Sequence, residues 1–386
     1  MHTFPAGGTA PLGIYIHIPF CKRKCDYCDF YSVCKYDDKL MDRYLAALTG
    51  QLADYFKYAH PKVDTVYIGG GTPSVFGGRR IEKLLREIGR RVELTRDAEI
   101  TVEVNPESVD EKLLKKLRAA GVNRLSMGIQ SADDSELAAL GRLHTFEQAA
   151  RACRLAKKYI DNISVDLIYA LEGQRMEGWM DTLEKTAALA PSHISCYCLK
   201  VEPGTPLAAR GCEQPEEDLQ ADMYLAAVDF LAQKGYRQYE ISNFARDGRI
   251  SRHNSKYWDL SEYLGLGCAA HSFYGGRRFS FRPDVEGYIE GVLSGRPVVA
   301  DMDELAYWSR SGEYIMLKLR TCAGIDPEYF EKRFEADFAP YAARLEKYVP
   351  AGYAVFDGSW HLTPKGFLVS NAILGDLLGD ALEHQE

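Results

Sequence analysis

Three cysteines stand close together near the start of the chain, in Cys21-Lys22-Arg23-Lys24-Cys25-Asp26-Tyr27-Cys28. Soft thiolates at this spacing can converge on one metal centre, because the short loops between them bend the chain around it. A fully ligated iron-sulfur cluster takes four cysteines. Three in a tight run leave one iron open to chelate a small molecule through an amino group and a carboxylate, a pair that S-adenosylmethionine presents. Lys22, Arg23 and Lys24 would help balance the charge of such a centre. The competing reading is a zinc site completed by Cys34 or His17, but it lacks the distant second cysteine pair usual in zinc sites. Three unlinked thiols are the remaining alternative.

A second feature is Gly69-Gly70-Gly71-Thr72-Pro73. It has no Lys-Ser/Thr of a phosphate loop, so a nucleoside triphosphate is not indicated. Consecutive glycines let a ligand approach the backbone and pair with its amides, although a glycine run alone also reads as an ordinary tight turn. A rival pattern, Gly265-Leu266-Gly267-Cys268-Ala269-Ala270, fits a dinucleotide fingerprint. It neither clearly follows a strand nor opens a βαβ unit, and is discounted.

The elements that must position these groups alternate along the chain. Short runs rich in β-branched and aromatic residues predict strands at residues 13–18, 63–68, 99–104, 124–129, 163–168 and 193–199, each followed by a helical pattern. Alternation of this kind implies a parallel sheet with helices outside, and six units predict an incomplete (βα)6 TIM-like barrel of class α/β. Chemistry in such folds lies at the carboxyl ends of the strands. The cysteines follow the first strand, the glycine run the second, and Glu103-Val104-Asn105-Pro106 ends the third; Gln130 ends the fourth and Asp166 lies in the fifth. Cys196 and Cys198 alternate onto one face of the sixth strand and read as small core residues. The rhythm changes after the helical pattern at 216–234. A core domain is therefore predicted over 1–239 and a smaller, mainly helical, winged-helix-like domain over 240–386.

Composition narrows the class. The 386 residues are 46% apolar and 26% charged with a formal net charge of -8, which argues for a globular core and against a broad nucleic-acid footprint. The N-terminal stretch lacks the basic start and apolar run of a secretory signal, and no segment approaches the length of a membrane span. A cytoplasmic protein is expected, and ten cysteines in a reducing compartment speak for metal binding where they cluster rather than for a disulfide framework. A homodimer is left open.

Taken in order, Tyr15-Ile16-His17-Ile18-Pro19-Phe20-Cys21 with Cys25 and Cys28, the Gly69–Pro73 run, Glu103-Val104-Asn105-Pro106 and Gly128-Ile129-Gln130 resemble the radical S-adenosylmethionine family of oxygen-independent coproporphyrinogen oxidases and their HemW-type heme chaperone relatives. The likeness covers nearly the whole chain. It implies a 4Fe-4S cluster on Cys21, Cys25 and Cys28, and S-adenosylmethionine contacts from Tyr15, Gly70, Gly71, Thr72, Glu103, Gln130, Arg142 and Asp166. Glu103 and Asp166 can accept hydrogen bonds from an amine or from ribose hydroxyls, and Arg142 can pair with the methionyl carboxylate in a charge-assisted fork. Arg142 also reads as an ordinary surface ion pair, and Gln130 as a strand-end residue.

Two features divide that family. The oxidase branch carries a further cysteine two positions after the third, where this chain has Phe30. His253-Asn254-Ser255-Lys256-Tyr257-Trp258 resembles the HNxxYW motif that distinguishes the chaperones. The resemblance thus implies a chaperone that binds heme and passes it to acceptor proteins of the respiratory chain, membrane-associated ones among them. His253 would be an axial ligand, Tyr257 and Trp258 would pack on the macrocycle, and His271 is a second ligand candidate. The bland alternative is a structural histidine in an aromatic turn. The other function in the family is decarboxylation of the propionates of coproporphyrinogen III by a 5'-deoxyadenosyl radical. One departure stands out: Ala170 and Glu172 occupy positions where relatives commonly carry Gly and Pro, so the loop after the fifth strand need not follow theirs.

Overall fold

The computed structural model describes residues 10–304 and 307–382; the first nine residues of the stretch read above as lacking a secretory signal lie outside that range. Six strands, β1 (Leu12–Ile18), β2 (Lys62–Gly70), β3 (Glu93–Val104), β4 (Arg124–Gln130), β5 (Asn162–Tyr169) and β6 (His193–Cys198), lie side by side in parallel. The α/β class and the six-unit TIM-like barrel expected from the alternation are what the chain forms. Helices Asp38–Tyr55, Gly78–Gly89, Glu111–Ala119, Phe146–Lys157, Met176–Ala188 and Glu217–Gln233 return between or after them. Several begin at a side-chain cap: Asp37 accepts from Leu40 N, Asp110 from Leu113 N, and Thr145 forms a capping box with Gln148, satisfying amides that have no partner inside the helix.

Alternation along each strand separates two environments. Ile14, Ile16, Val66, Ile68, Val102, Leu125, Val165 and Ile194 are buried in the apolar layer with helix residues such as Tyr44, Leu48, Leu84, Leu114 and Trp179. The alternate positions are polar and bond to each other across neighbouring strands: Tyr67 to Glu103, Ser126 and Ser195 to Asp166, Ser164 to His193. The barrel interior is therefore a hydrogen-bonded polar space rather than an oily one, which stabilises it only while its members stay paired.

The sheet does not stop at six strands. On the far side of β6 lie β8 (Asn243–Ala245) and then β7 (Arg237–Glu240), both antiparallel additions. On the other edge β9 (Tyr263–Leu266) pairs parallel with β1 and leads to antiparallel β10 (His271–Tyr274), β11 (Arg277–Phe281) and β12 (Val299–Glu304). The boundary expected at 239/240 falls inside β7, and strands up to residue 304 remain in the one sheet. Beyond them come helices Tyr307–Lys318, Pro327–Phe334, Ala339–Leu345, Pro364–Leu368 and Ser370–Leu382, with a hairpin of β13 (Ala354–Phe356) and β14 (Trp360–Leu362). Tyr314, Phe330, Phe334 and Phe338 form the aromatic core of this part.

One short helix, Arg252–Trp258, closes the barrel at the end where the strands begin. The amides of Arg252 and His253 donate to the Glu99 carboxylate at 3.1 and 3.0 Å, and Lys256 Nζ reaches Asp64 and the Pro11 carbonyl, each at 2.8 Å. A Cβ on Gly13 would lie 2.8 Å from Lys256 Cδ, so the close approach of this helix depends on glycine.

The β7–β8 hairpin is tied to the helical part through Ile241 N to Arg320 O at 2.9 Å and Cys322 N to Tyr239 O at 3.0 Å. Glu240 is caught there, 1% exposed, with Ser242 N and Asn243 Nδ2 donating to it. Burial pushes its carboxyl up to about 7 from 4.5. Ionisation is thus opposed in the folded chain. The penalty is absent below the unfolded value, grows between the two, and is complete above the folded one, where it amounts to on the order of 3 kcal/mol. Glu240→Gln is expected to raise the melting temperature by a few degrees at alkaline pH and to change it little at the unfolded pKa of glutamate. Melting curves at the two pH values check this, and equal shifts at both would contradict it.

Candidate functional site

Beyond β1 the chain leaves the sheet into the cysteine loop, which is anchored on both sides. Cys21 N donates to Val33 O at 3.1 Å and Val33 N to Pro19 O at 2.7 Å, while Cys28 N turns back to Cys25 O at 3.2 Å. The glycine loop after β2 is stapled to it by Gly71 N to Ile18 O and Thr72 N to Phe20 O, both 2.9 Å. A Cβ on Gly71 would come 2.8 Å from Ile18 O and 3.0 Å from Cys21 Sγ, so only glycine permits this approach. The amides of Gly70, Gly71 and Thr72 are spent inside the protein, on Glu103, Ile18 and Phe20. These amides already have partners in the folded chain, and the loop lies close against the cysteines.

Side chains complete a connection between two of the thiols. Thr72 Oγ1 donates to Cys21 Sγ at 3.4 Å, Asn105 Nδ2 to Thr72 Oγ1 at 3.1 Å, Arg142 to Asn105 Oδ1 at 2.9 Å, and Arg142 again to Cys25 Sγ at 3.4 Å. The guanidinium is also held by Gly128 O at 2.7 Å, while its buried Nε has no partner. Arg142 is thus no ordinary surface ion pair. Asn105 is visible in the sequence only as part of the Glu103–Pro106 motif. Gln130 ends β4 in a left-handed conformation (φ 71°), and a Cβ on Gly128 would meet its Nε2 at 2.7 Å and Arg142 at 3.3 Å. Such a backbone in a residue other than glycine stores strain, a feature that concentrates at functional sites.

The donor set fits a cluster. Burial raises the Cys21 thiol and pushes Cys28 up to about 11, with charge on the neighbouring cysteines adding to both. Among the described residues no three His, Cys, Asp or Glu side chains stand together as a cage for a single ion; a cubane cluster spreads its thiolates wider than one ion does. His17, considered for zinc, has both ring nitrogens engaged, with Tyr15 OH at 3.1 Å and Tyr31 O at 2.9 Å, and Cys34 is exposed.

Deeper in the mouth lie two carboxylates. Glu103 accepts from Tyr67 OH at 2.7 Å and from Gly70 N at 3.0 Å. Burial pushes it up to about 7; the two hydrogen bonds and Arg124 pull downward and Asp166 adds to the rise. Asp166 accepts from Ser126 at 2.9 Å and Ser195 at 2.7 Å, and burial raises it as well. Tyr67, Ser126 and Ser195 were not singled out from the sequence. Thr72 and Arg142 touch Cys21 and Cys25, Gln130 lies beside Gly128, and Tyr15, Gly70, Glu103 and Asp166 line the polar interior.

His253 is elsewhere. It sits in the helix at the opposite end of the barrel, fully buried, with Nδ1 at 2.9 Å from Thr65 Oγ1 and Nε2 at 3.0 Å from Tyr257 OH. Burial lowers it to about 3, so the ring is neutral, and neither nitrogen is free as the chain is folded. His271 is exposed on β10. The Gly265–Ala270 pattern does end a strand, β9, but leads to β10 rather than to a helix, and its amides serve Tyr44 and Gln51. Cys196 is a core residue as expected; Cys198, at the strand end, is exposed and contacts Gln220 at 3.3 Å.

The Radical SAM superfamily pattern matches residues 15–186, and the HemN C-terminal domain matches 310–369. The heme chaperone HemW of Lactococcus lactis is 35% identical over 377 residues, covering 96% of this chain and 98% of the relative. The heme chaperone HemW of Haemophilus influenzae is 34% identical, with 94% and 97% covered. Among solved structures, coproporphyrinogen III oxidase (HemN) from Escherichia coli, described as a radical SAM enzyme, superposes with a TM-score of 0.83 at 24% identity over 94% of this chain and 89% of that one. That likeness shows a shared fold.

Proposed function

The chain belongs to the HemW heme chaperone family, and from that membership we propose that it binds heme and hands it to acceptor proteins, with a 4Fe-4S cluster on Cys21, Cys25 and Cys28 and S-adenosylmethionine beside it. The observation that carries the reading is near full-length similarity to named heme chaperones, coupled with a cysteine loop and a glycine loop bonded into one unit. When bound, the cluster supplies electrons and an open iron to which an amino group and a carboxylate can attach. The chain's own residues do the rest. Arg142 steadies Cys25 and keeps its Nε for the methionyl carboxylate. Glu103 accepts from the amine or ribose, and Asp166, held by two serines, lies deeper in the same interior. Phe30 stands 63% exposed on the cysteine loop where the oxidases carry a further cysteine.

Heme ligation by His253 requires the end helix to release the Thr65 and Tyr257 bonds. The decisive experiment is anaerobic reconstitution with iron and sulfide, followed in parallel by heme titration, heme transfer to an apo-acceptor, and decarboxylation of coproporphyrinogen III. Stoichiometric, transferable heme without decarboxylation is the expected result. Decarboxylation at enzymatic turnover would place the chain's activity with the oxidases.

A further inference from the structure

The helix that carries His253 and Tyr257 lies across the barrel from the cysteine loop, yet a column of side chains joins the two ends. Tyr257 OH and Thr65 Oγ1 pin the two nitrogens of His253 at 3.0 and 2.9 Å. The imidazole stacks on Tyr67, with centroids 5.4 Å apart and planes 26° from parallel, and on Tyr15 at 6.4 Å. Tyr67 and Tyr15 stack on each other at 6.2 Å. From the far edge of this stack Tyr67 OH donates to Glu103 Oε1 at 2.7 Å, and Gly70 N takes Oε2 at 3.0 Å. The tyrosine has little room to slide, because it crowds Gly69 so closely that a Cβ there would meet Tyr67 Cε1 and Glu103 Cδ at 2.8 Å.

We propose that Tyr67 and His253 are positioning residues for Glu103: the end helix fixes the tilt of the Tyr67 ring, and the Tyr67 hydroxyl holds the carboxylate charged and aimed at S-adenosylmethionine. This deepens the function proposed above and rests on Glu103 meeting that ligand. It gives the histidine and tyrosine of the HNxxYW-like segment work in the folded chain that does not involve an iron.

The balance at Glu103 makes the arrangement consequential. Burial and Asp166 favour the neutral acid; Tyr67, Gly70 N and Arg124 favour the anion, and the sum lies at about 7. The other titratable groups facing it are the phenols of Tyr15 and Tyr257, both kept neutral by burial. Near neutrality one hydrogen bond decides whether a charge is present to hold an ammonium group. Loss of the Tyr67 hydroxyl moves Glu103 further up, so affinity becomes weaker at low pH and recovers as pH rises through the new midpoint.

The test is S-adenosylmethionine binding by equilibrium dialysis to the anaerobically reconstituted full chain, across the range from mildly acidic to alkaline pH. The ligand's own amino group titrates equally in every arm, so differences between proteins report the protein. Tyr67→Phe is expected to bind about tenfold more weakly on the acidic side, the effect of one pKa unit, with the gap closing at alkaline pH. His253→Ala shifts the profile in the same direction by a smaller factor. In the chain without cluster or ligand, the protonated-carboxyl infrared band that vanishes in Glu103→Gln moves to higher pH in Tyr67→Phe. A loss of affinity independent of pH, or an unmoved infrared midpoint, would overturn the coupling. Loss of heme with an unchanged S-adenosylmethionine profile in His253→Ala would return His253 to ligation. Absence of S-adenosylmethionine binding in the unsubstituted chain would sink the underlying reading, and this proposal with it.

Discussion

Replacing Cys25 with alanine is expected to abolish the iron and sulfide that reconstitution installs, while leaving the fold standing. The loop that carries the three thiols runs between β1 and the helix Asp38–Tyr55, and Cys25 and Cys28 are only half-buried there. The apolar layer under the helices does not use them. Removal of Cys25 leaves Arg142 without one acceptor but with Asn105 and Gly128 still bound, a cost of about 1–3 kcal/mol at most. Cluster binding, by contrast, loses one of three protein ligands and with it the chelate. The expected readout is iron and sulfide at background, no charge-transfer absorption, and a melting curve close to that of the unsubstituted chain. Cys34→Ala is the control and should bind a full complement. The sign of the pH effect also follows. Cys28 is protonated until pH nears about 11, and Cys21 is raised too, so binding iron must displace protons and reconstitution should improve as pH rises above neutral. A cluster that survives Cys25→Ala but not Cys34→Ala would show that the ligand set has been drawn wrongly.

Much of this site was legible because its signals are local. Cys21, Cys25 and Cys28 announce themselves by spacing, and the glycine run by composition; strand alternation then places both at one end of a barrel. What stayed hidden depends on register between distant strands. Tyr67 meets Glu103, and Ser126 and Ser195 meet Asp166, because β2, β3, β4, β5 and β6 pair at particular offsets that no single segment encodes. Register also decides the fate of His253: its segment reads as an aromatic turn, and only the packing of helix Arg252–Trp258 under β1, β2 and β3 turns it into a buried, doubly bonded ring. The boundary expected near 240 rests on a change of rhythm in the sequence. The strands beyond it are short and, apart from β9 beside β1, antiparallel to their neighbours, yet they extend the same sheet. Ala170 offers a different lesson. It adopts φ 60° while buried, the left-handed conformation that glycine takes without cost, so the chain carries the strain of an alanine at this position.

Gly70→Ala is expected to weaken S-adenosylmethionine binding by a hundredfold or more, the second large effect. Gly70 has φ 107°, outside the range that residues with a Cβ readily adopt. Space is missing too: a Cβ there would lie 2.4 Å from His17 Nδ1 and 2.5 Å from its Cε1. His17 cannot turn aside cheaply, because its ring is tied to Tyr15 OH on one side and Tyr31 O on the other. Strain of about 1–3 kcal/mol from the backbone and a similar amount from overpacking must therefore be relieved by moving the glycine loop. That movement opens the Gly70 N to Glu103 bond and disturbs Gly71, which lies against Cys21. Gly77 separates the two components. It has φ 93°, but the nearest atom to its added Cβ is Arg80 Nη1 at 4.0 Å, so Gly77→Ala suffers the strain without the collision. Binding isotherms on the two variants should then differ sharply, with Gly77→Ala near the unsubstituted affinity and slightly less stable. Equal behaviour of the two would mean that backbone strain alone governs the loop; unimpaired binding by Gly70→Ala would mean that this loop does not shape the S-adenosylmethionine site at all.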